Sequence, residues 1–238
     1  MLTHAQKPDI LRAHTEHNNT SHMRTKTLLL TAALSAAGAL TSMAQVYSVN
    51  IVGYVNLAIP HGFSMVANQL NNSVNNQLAT VIPTPPNGSF FYKFNNASSS
   101  YTIDDYTDGA WEGDTSGTMT LNPGEGVFVN ATDAFTATFV GEVQLVSHVP
   151  VPHGFSIISS PIPQQGLLDP DLGYVPGNGD FVYQFQNASS SYRINDFADG
   201  AWEGDDGGAS PTIHVGEAFF LFNNNAPHNW DRIFTVGP

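Results

Sequence analysis

The chain of 238 residues has no cysteine. That excludes disulfides, thiolate zinc sites and a cysteine nucleophile, so an exported domain of this sequence must be held together by its core alone. Cations are nearly as scarce. Beyond residue 44 only Lys93, Arg193 and Arg232 stand against 18 Asp and Glu, a formal net charge of −15. Nucleic-acid binders displace phosphate counterions with clustered Lys and Arg, and three cations cannot form such a patch. Adhesion to anionic headgroups is disfavoured for the same reason. Long apolar runs are also missing. The Leu- and Ala-rich apolar run, Thr27 to Leu40, has 14 residues, short of the ~20 that span a bilayer.

What that stretch resembles is a leader. Met23-Arg24-Thr25-Lys26 is a short basic segment, Thr27 to Leu40 is rich in Leu and Ala, and Ser42-Met43-Ala44 offers small residues before a cleavage point at Gln45. Residues 23–44 therefore read as a cleaved signal peptide. Residues 1–22 are polar and contain His4, His14, His17 and His22, which no signal peptide needs. They read as an N-terminal extension from a misassigned start, with Met23 the initiator and the fold beginning near Val46. A scattered set of histidines without structure signals makes a poor metal-binding leader. The expected location is outside the cell or on its outer surface.

Past the leader, most of the sequence is written twice. Asp-Gly-Ala-Trp-Glu-Gly-Asp runs from Asp108 to Asp114 and again from Asp199 to Asp205. Pro60-His61-Gly62-Phe63-Ser64 returns at Pro152 to Ser156, Asn96 to Tyr101 returns at Asn187 to Tyr192, and Gly124-Glu125 returns as Gly216-Glu217. A constant offset of 91 to 92 residues means one folding unit used twice. The expected division is an N-terminal strand at 45–56, one repeat at 57–147 and a second at 148–238. The N-terminal strand has no evident copy in the second repeat. Phe63/Phe155, Tyr101/Tyr192, Trp111/Trp202 and Phe128/Phe220 should fall in matching places.

The unit itself reads as β. Val46 to Leu57 is rich in β-branched and aromatic residues, and short strand-like runs follow at Phe63–Asn68, Ser89–Phe94, Ser100–Tyr106, Thr118–Leu121, Gly126–Asn130 and Phe135–Val143. Their copies are Phe155–Ser160, Asp180–Phe185, Ser191–Phe197, Pro211–Val215, Ala218–Phe222 and Trp230–Val236. Gly, Pro, Asn and Asp punctuate them about every ten residues, as in a sandwich or barrel. A weak helix at Val74–Val81, replaced by the loop Gln164–Leu172 in the second copy, reads as a surface connection. The expected fold is all-β: two tandem, pseudo-symmetric antiparallel lobes.

The repeated acidic block is the most tempting site. Asp105, Asp108, Glu112 and Asp114, with their copies Asp196, Asp199, Glu203 and Asp205, crowd carboxylates that a hard cation such as Ca²⁺ accepts as ligands. Their spacing is not that of a Ca²⁺ loop. A β-hairpin explains more: Asp-Gly is a preferred two-residue turn, and Trp111 or Trp202 then packs back onto its lobe. Saccharide stacking on Trp111 and Trp202, joined by Tyr101 and Tyr192, is the third reading. His61 and His153 precede Gly-Phe-Ser in both copies, but neither Ser64 nor Ser156 lies in a nucleophile motif, and a strand-entry turn accounts for both. Glu125 and Glu217 follow glycines before apolar strands. Each reads as a turn carboxylate accepting backbone amides rather than as a general acid or base.

Val46 to Asn56, then Ile59-Pro60-x-Gly62-Phe63-Ser64, then Pro123-Gly124-Glu125-Gly126-Val127-Phe128-Val129 resemble a group of secreted β-repeat proteins of Verrucomicrobiota-type bacteria. The likeness covers nearly all of the chain after the leader. It implies export and a bacterial origin and carries over no activity, ligand or site residue. Two function classes follow from the residues. One is a non-enzymatic structural or adhesive protein of the cell exterior, with self-association as its expected partnership. The other is a carbohydrate-binding module, with or without Ca²⁺. A glycoside-active enzyme ranks behind both. No resident cofactor is expected beyond that cation.

Overall fold

The strand-rich run beyond residue 50 pairs at once with a distant part of its own repeat. In the computed structural model, which describes residues 51–235, β1 (Val52–Ile59) forms an antiparallel hairpin-like pair with β7 (Phe135–Glu142), with Ile59 opposite Phe135. Burial alternates along both. Leu57 and Ile59 face the same way as Ala137 and Phe139, while Asn56, Ala58, Thr136 and Thr138 face solvent. This is the period-2 pattern of a sheet with one wet face.

The inner face of that pair covers a five-stranded sheet. Its order is β2 (Gly62–Val66), β6 (Val127–Ala131), β3 (Ser89–Asn95), β4 (Ser100–Thr107) and β5 (Ala110–Gly113), all antiparallel. Phe91, Val127 and Val129 from the sheet meet Ile59, Ala137 and Phe139 from the pair, with Leu70, Leu78 and Leu121 filling the sides. Each fully buried Phe or Leu contributes roughly 1.5–3 kcal/mol. The helix is one turn only, α1 (Leu78–Val81), which inserts Leu78 and Val81 into this core.

The second repeat rebuilds the same sandwich. β8 (Val146–Val151) pairs with β16 (His228–Ile233), and a five-stranded sheet runs β13 (Ala201–Gly204), β12 (Ser191–Ala198), β11 (Asp180–Gln186), β15 (Phe219–Asn223), β9 (Gly154–Ile158). The short pair β10 (Gly166–Leu167) and β14 (Thr212–Ile213) lies beside it. Val182, Phe219, Leu221, Trp202 and Trp230 form its core. The all-β expectation holds, and the halves are tandem lobes with matched sheets.

Three sequence expectations change. β8 does for the second lobe what β1 does for the first: Val151 opposes His228 as Ile59 opposes Phe135. The N-terminal strand is therefore the first strand of repeat 1, not a separate element, and it has a copy. The lobes meet in the connection near Val143–Leu145 rather than at 147/148. Thr118–Leu121 is not a strand; it joins the fold by an isolated bridge from Thr120 to Gln77, by backbone hydrogen bonds with Asn76 and Leu78, and by Met119 and Leu121 in the core. The expected extension, signal peptide and cleavage point fall on residues outside those described.

The lobes are joined by contacts that come in reciprocal pairs. Ala67 N–H donates to Gly216 O at 2.9 Å, and Ser159 N–H donates to Gly124 O at 3.0 Å. Val66 bridges Glu217 as Ile158 bridges Glu125. Asn96 Nδ2 donates to the carbonyls of His153 and Phe155 at 2.9 and 2.8 Å, and Asn187 Nδ2 to those of His61 and Phe63, both at 2.9 Å. Reciprocity of this kind marks an isologous, two-fold interface. Gly126 lies against Ala218, its own counterpart; a Cβ there would overlap Ala218 and come within 2.6 Å of Ile157 Cγ2.

Candidate functional site

The central sheets are apolar on both faces. Inward residues of β3 are Ser89, Phe91 and Lys93, while Phe90, Tyr92 and Phe94 point the other way; in β11 the outward set is Phe181, Tyr183 and Phe185. Neighbouring strands add Phe63 and Phe155, Phe128 and Phe220, Tyr101 and Tyr192, Ile103 and Ile194. Phe63, Phe155, Tyr101, Tyr192 and the two isoleucines remain about 40% exposed. The rings form one chain of contacts across both lobes. Phe63 lies 5.2 Å from Phe128, Phe128 4.9 Å from Phe185, Phe185 5.4 Å from Tyr192, Tyr192 6.3 Å from Phe220 and Phe220 5.8 Å from Phe94. Met65, Ala67, Ile157 and Ala218 close the seam beneath them. Desolvation raises the phenol pKa of both Tyr101 and Tyr192, and each stands close enough to the other for its charge to raise Tyr192 further.

One part of this surface is a cleft of about 380 Å³ walled by Phe94, Phe155, Tyr183, Tyr192, Ile194 and Phe220. Five of the six come from lobe 2 and Phe94 from lobe 1. The two-fold relation places Phe63, Tyr92, Tyr101, Ile103, Phe128 and Phe185 in the corresponding positions.

The expected saccharide platform divides. Trp202 is buried at 6% exposure, and Trp111 is half-buried between Phe91 and Tyr106 at 4.9 and 5.6 Å. Both indoles therefore belong to the inner face, as the hairpin reading requires, and neither offers a ring to a ligand. Tyr101 and Tyr192 do.

The cation site is not assembled either. Asp108 and Asp199, with φ of 51° and 50°, precede Gly109 and Gly200, both at 81°, which is the two-residue turn with positive φ at both central positions. Asp114 accepts Ile103 N–H and Asp205 accepts Ile194 N–H, both at 2.8 Å. Asp105 accepts the Thr107 hydroxyl at 2.7 Å. Only two carboxylates of each block meet, Asp105 opposite Glu112 and Asp196 opposite Glu203. Among the described residues no three His, Asp or Glu side chains gather as metal ligands. The fully buried carboxylate of the first block, Asp104, was not among the candidates. It accepts Thr115 N–H, the Thr115 hydroxyl and Gly117 N–H.

Glu125 and Glu217 are turn carboxylates. Asn122 N–H donates to Glu125 at 2.7 Å and His214 N–H to Glu217 at 2.8 Å. Each stands in one of two polar recesses beside the seam, about 260 Å³ with Lys93 and Ser156 and about 360 Å³ with Gln184, Arg193 and Ser64. In the first, Lys93 Nζ lies 2.9 Å from Glu125. In the second, Gln184 Nε2 takes the ammonium's place, donating to Glu217 and Thr212 O at 2.8 Å. Burial raises the Glu217 pKa, and hydrogen bonds from His214 and Gln184 with the charges of His214 and Arg193 oppose the rise. His61 and His153 donate through Nδ1 to Thr132 O and Asn225 O, fixing the entries to β2 and β9.

The sequence reading missed the aromatic surface and the amide clamps of Asn96 and Asn187. A signal for the surface was present: Phe90-Phe91-Tyr92 and Phe181-Val182-Tyr183 are apolar at both parities, as a strand buried or functional on both faces must be.

Fold and surface together define a class: a tandem two-lobed all-β protein with a quasi-two-fold axis and an aromatic outer face. No protein-family model matches the chain, and neither does a curated protein or a solved structure.

Proposed function

We propose that this is an exported, non-catalytic structural or adhesive protein of the cell exterior that holds a partner on its aromatic face. The observation that carries the reading is the unbroken ring surface from Phe63 to Phe94 across both lobes. Apolar patches of that continuity mark interaction sites. Export rests on the leader-like residues 23–44 and on a core that needs no disulfide. A glycoside-active reading has less support. Hydrolysis takes two carboxyls about 5–10 Å apart across one groove, whereas Glu125 and Glu217 stand in different recesses and each is engaged by its own turn.

Carbohydrate binding is the second reading, favoured by the four phenols of Tyr92, Tyr101, Tyr183 and Tyr192 on that face. Beads coated with the full chain, set against glycan arrays, polysaccharide films and protein-coated surfaces, test both readings. Adhesion should be lost when Tyr101→Ser and Tyr192→Ser are combined in a chain that melts as the wild type does. Undiminished adhesion by that variant would overturn the assignment of the face.

A further inference from the structure

The outward faces combine two features that oppose each other in an isolated sheet. Aromatic rings fill their centres, and at the border β4 sets Asp105 directly opposite Glu112 of β5, as β12 sets Asp196 opposite Glu203 of β13. Like charges facing across strands destabilise the pair, yet both copies carry them. Nothing in the described residues neutralises them. Lys93 is held by Glu125, Arg193 by Asp206, and Arg232 by Gln164 and the Asp171 carbonyl. The border is electrically continuous with the cleft: burial raises the Tyr183 phenol pKa, and the nearby Asp196 charge raises it further.

We propose that the aromatic cleft of Phe94, Phe155, Tyr192 and Phe220, with its two-fold counterpart, binds a basic, apolar polypeptide segment. Apolar side chains of the segment enter between the rings. Its Lys or Arg groups meet Asp196 and Glu203, or Asp105 and Glu112, and cations over the ring faces add attraction. The inference rests on the aromatic face being a docking surface and adds the identity of the occupant. A hydroxyl-rich sugar fits these walls less well, because only the phenols of Tyr183 and Tyr192 are there to replace the hydrogen bonds it loses to water. A second copy of the chain fits less well again: it brings its own unpaired carboxylates and a net charge of −15 over residues 45–238.

Fluorescent peptides of equal length test the occupant against the full chain: alternating Lys/Leu, Ser/Leu and Glu/Leu, beside neutral oligosaccharides and sedimentation for self-association. The Lys/Leu peptide should bind, Glu/Leu should not, and affinity should fall steeply with salt. Combining Glu112→Gln with Glu203→Gln should weaken Lys/Leu binding roughly two- to thirtyfold, the range spanned by two exposed ion pairs. Combining Tyr101→Ser with Tyr192→Ser should abolish it. If oligosaccharide or self-association replaces the Lys/Leu peptide and depends on the tyrosines, the occupant is wrong and the docking surface stands. Should every probe bind equally well to both variants, or none bind at all, both ideas fall.

Discussion

Replacing Asn96 by Ala removes two hydrogen bonds that cross the seam, to the carbonyls of His153 and Phe155. Replacing Asn187 removes their two counterparts, to His61 and Phe63. Each bond is worth about 0.5–1.5 kcal/mol net. Both clamps are open to water, so the abandoned carbonyls rehydrate and the lower half of that range applies. Each single variant should therefore cost about 1–2 kcal/mol, and the two costs should agree, because a two-fold seam gives both asparagines the same surroundings. Distant sites add to within ~0.5 kcal/mol, so the double variant should lose about 2–4 kcal/mol. Urea unfolding measures this, with an unchanged m-value as the sign that both lobes still unfold together. Ser98→Ala is the control. Its hydroxyl meets only Ser100 in the same turn, and it should stay within ~0.5 kcal/mol of the wild type. Unequal costs for the two asparagines, or a single loss below about 0.3 kcal/mol, would refute the symmetric clamp.

Three further outcomes are expected. Glu217 has its pKa raised by burial, so the folded state prefers the protonated acid. Its favourable contribution is complete below the ordinary glutamate range and is lost as pH rises through the raised value; Glu217→Gln should lack that decline, giving a stability difference in its favour that grows as pH rises from the ordinary glutamate range through the raised value and then levels off. Glu112→Gln or Glu203→Gln relieves a cross-strand repulsion and should stabilise by about 0.2–1 kcal/mol in low salt, an advantage that high salt erases in a thermal melt. Since the acidic hairpins gather no three ligands, melting temperatures in chelator and in millimolar Ca²⁺ should coincide at matched ionic strength, and a rise of several degrees would show a site that the geometry does not contain.

Identity between the copies revealed the duplication, and local chemistry revealed its turns. Asp108-Gly109 and Asp199-Gly200 need positive φ at both positions, and few residue pairs other than Asp-Gly and Asn-Gly supply it. Glu125 and Glu217 close their turns onto amides three residues back, a contact short enough to be written in the sequence. The copy of β1 was hidden because Val-Gly-Tyr-Val-Asn-Leu-Ala-Ile and Val-Ser-His-Val-Pro-Val share a pattern of burial rather than residues. The four carboxylates of each block looked like one cluster because they are close in sequence. Strand alternation and the turn send them to different sides. The tryptophans looked like binding residues for the same reason, and the register that turns Trp111 inward turns Glu112 outward. The clamps of Asn96 and Asn187 join residues 57 to 126 positions apart, and no short-range pattern announces such a contact.

The reciprocal seam also says what the two halves were free to become. A half-length chain carrying the same surface would assemble as a homodimer, and any substitution would then alter both of its mouths together. Covalent fusion removes that constraint. Asn130 of β6 and Phe222 of β15 occupy matching outward places, one an amide and the other a ring. The lock beneath them is a Lys93–Glu125 ion pair on one side and a neutral Gln184 amide on the other. The axis is thus kept in the backbone of the paired sheets and broken in chemistry, so a ligand with distinct ends that lies across it has one preferred direction.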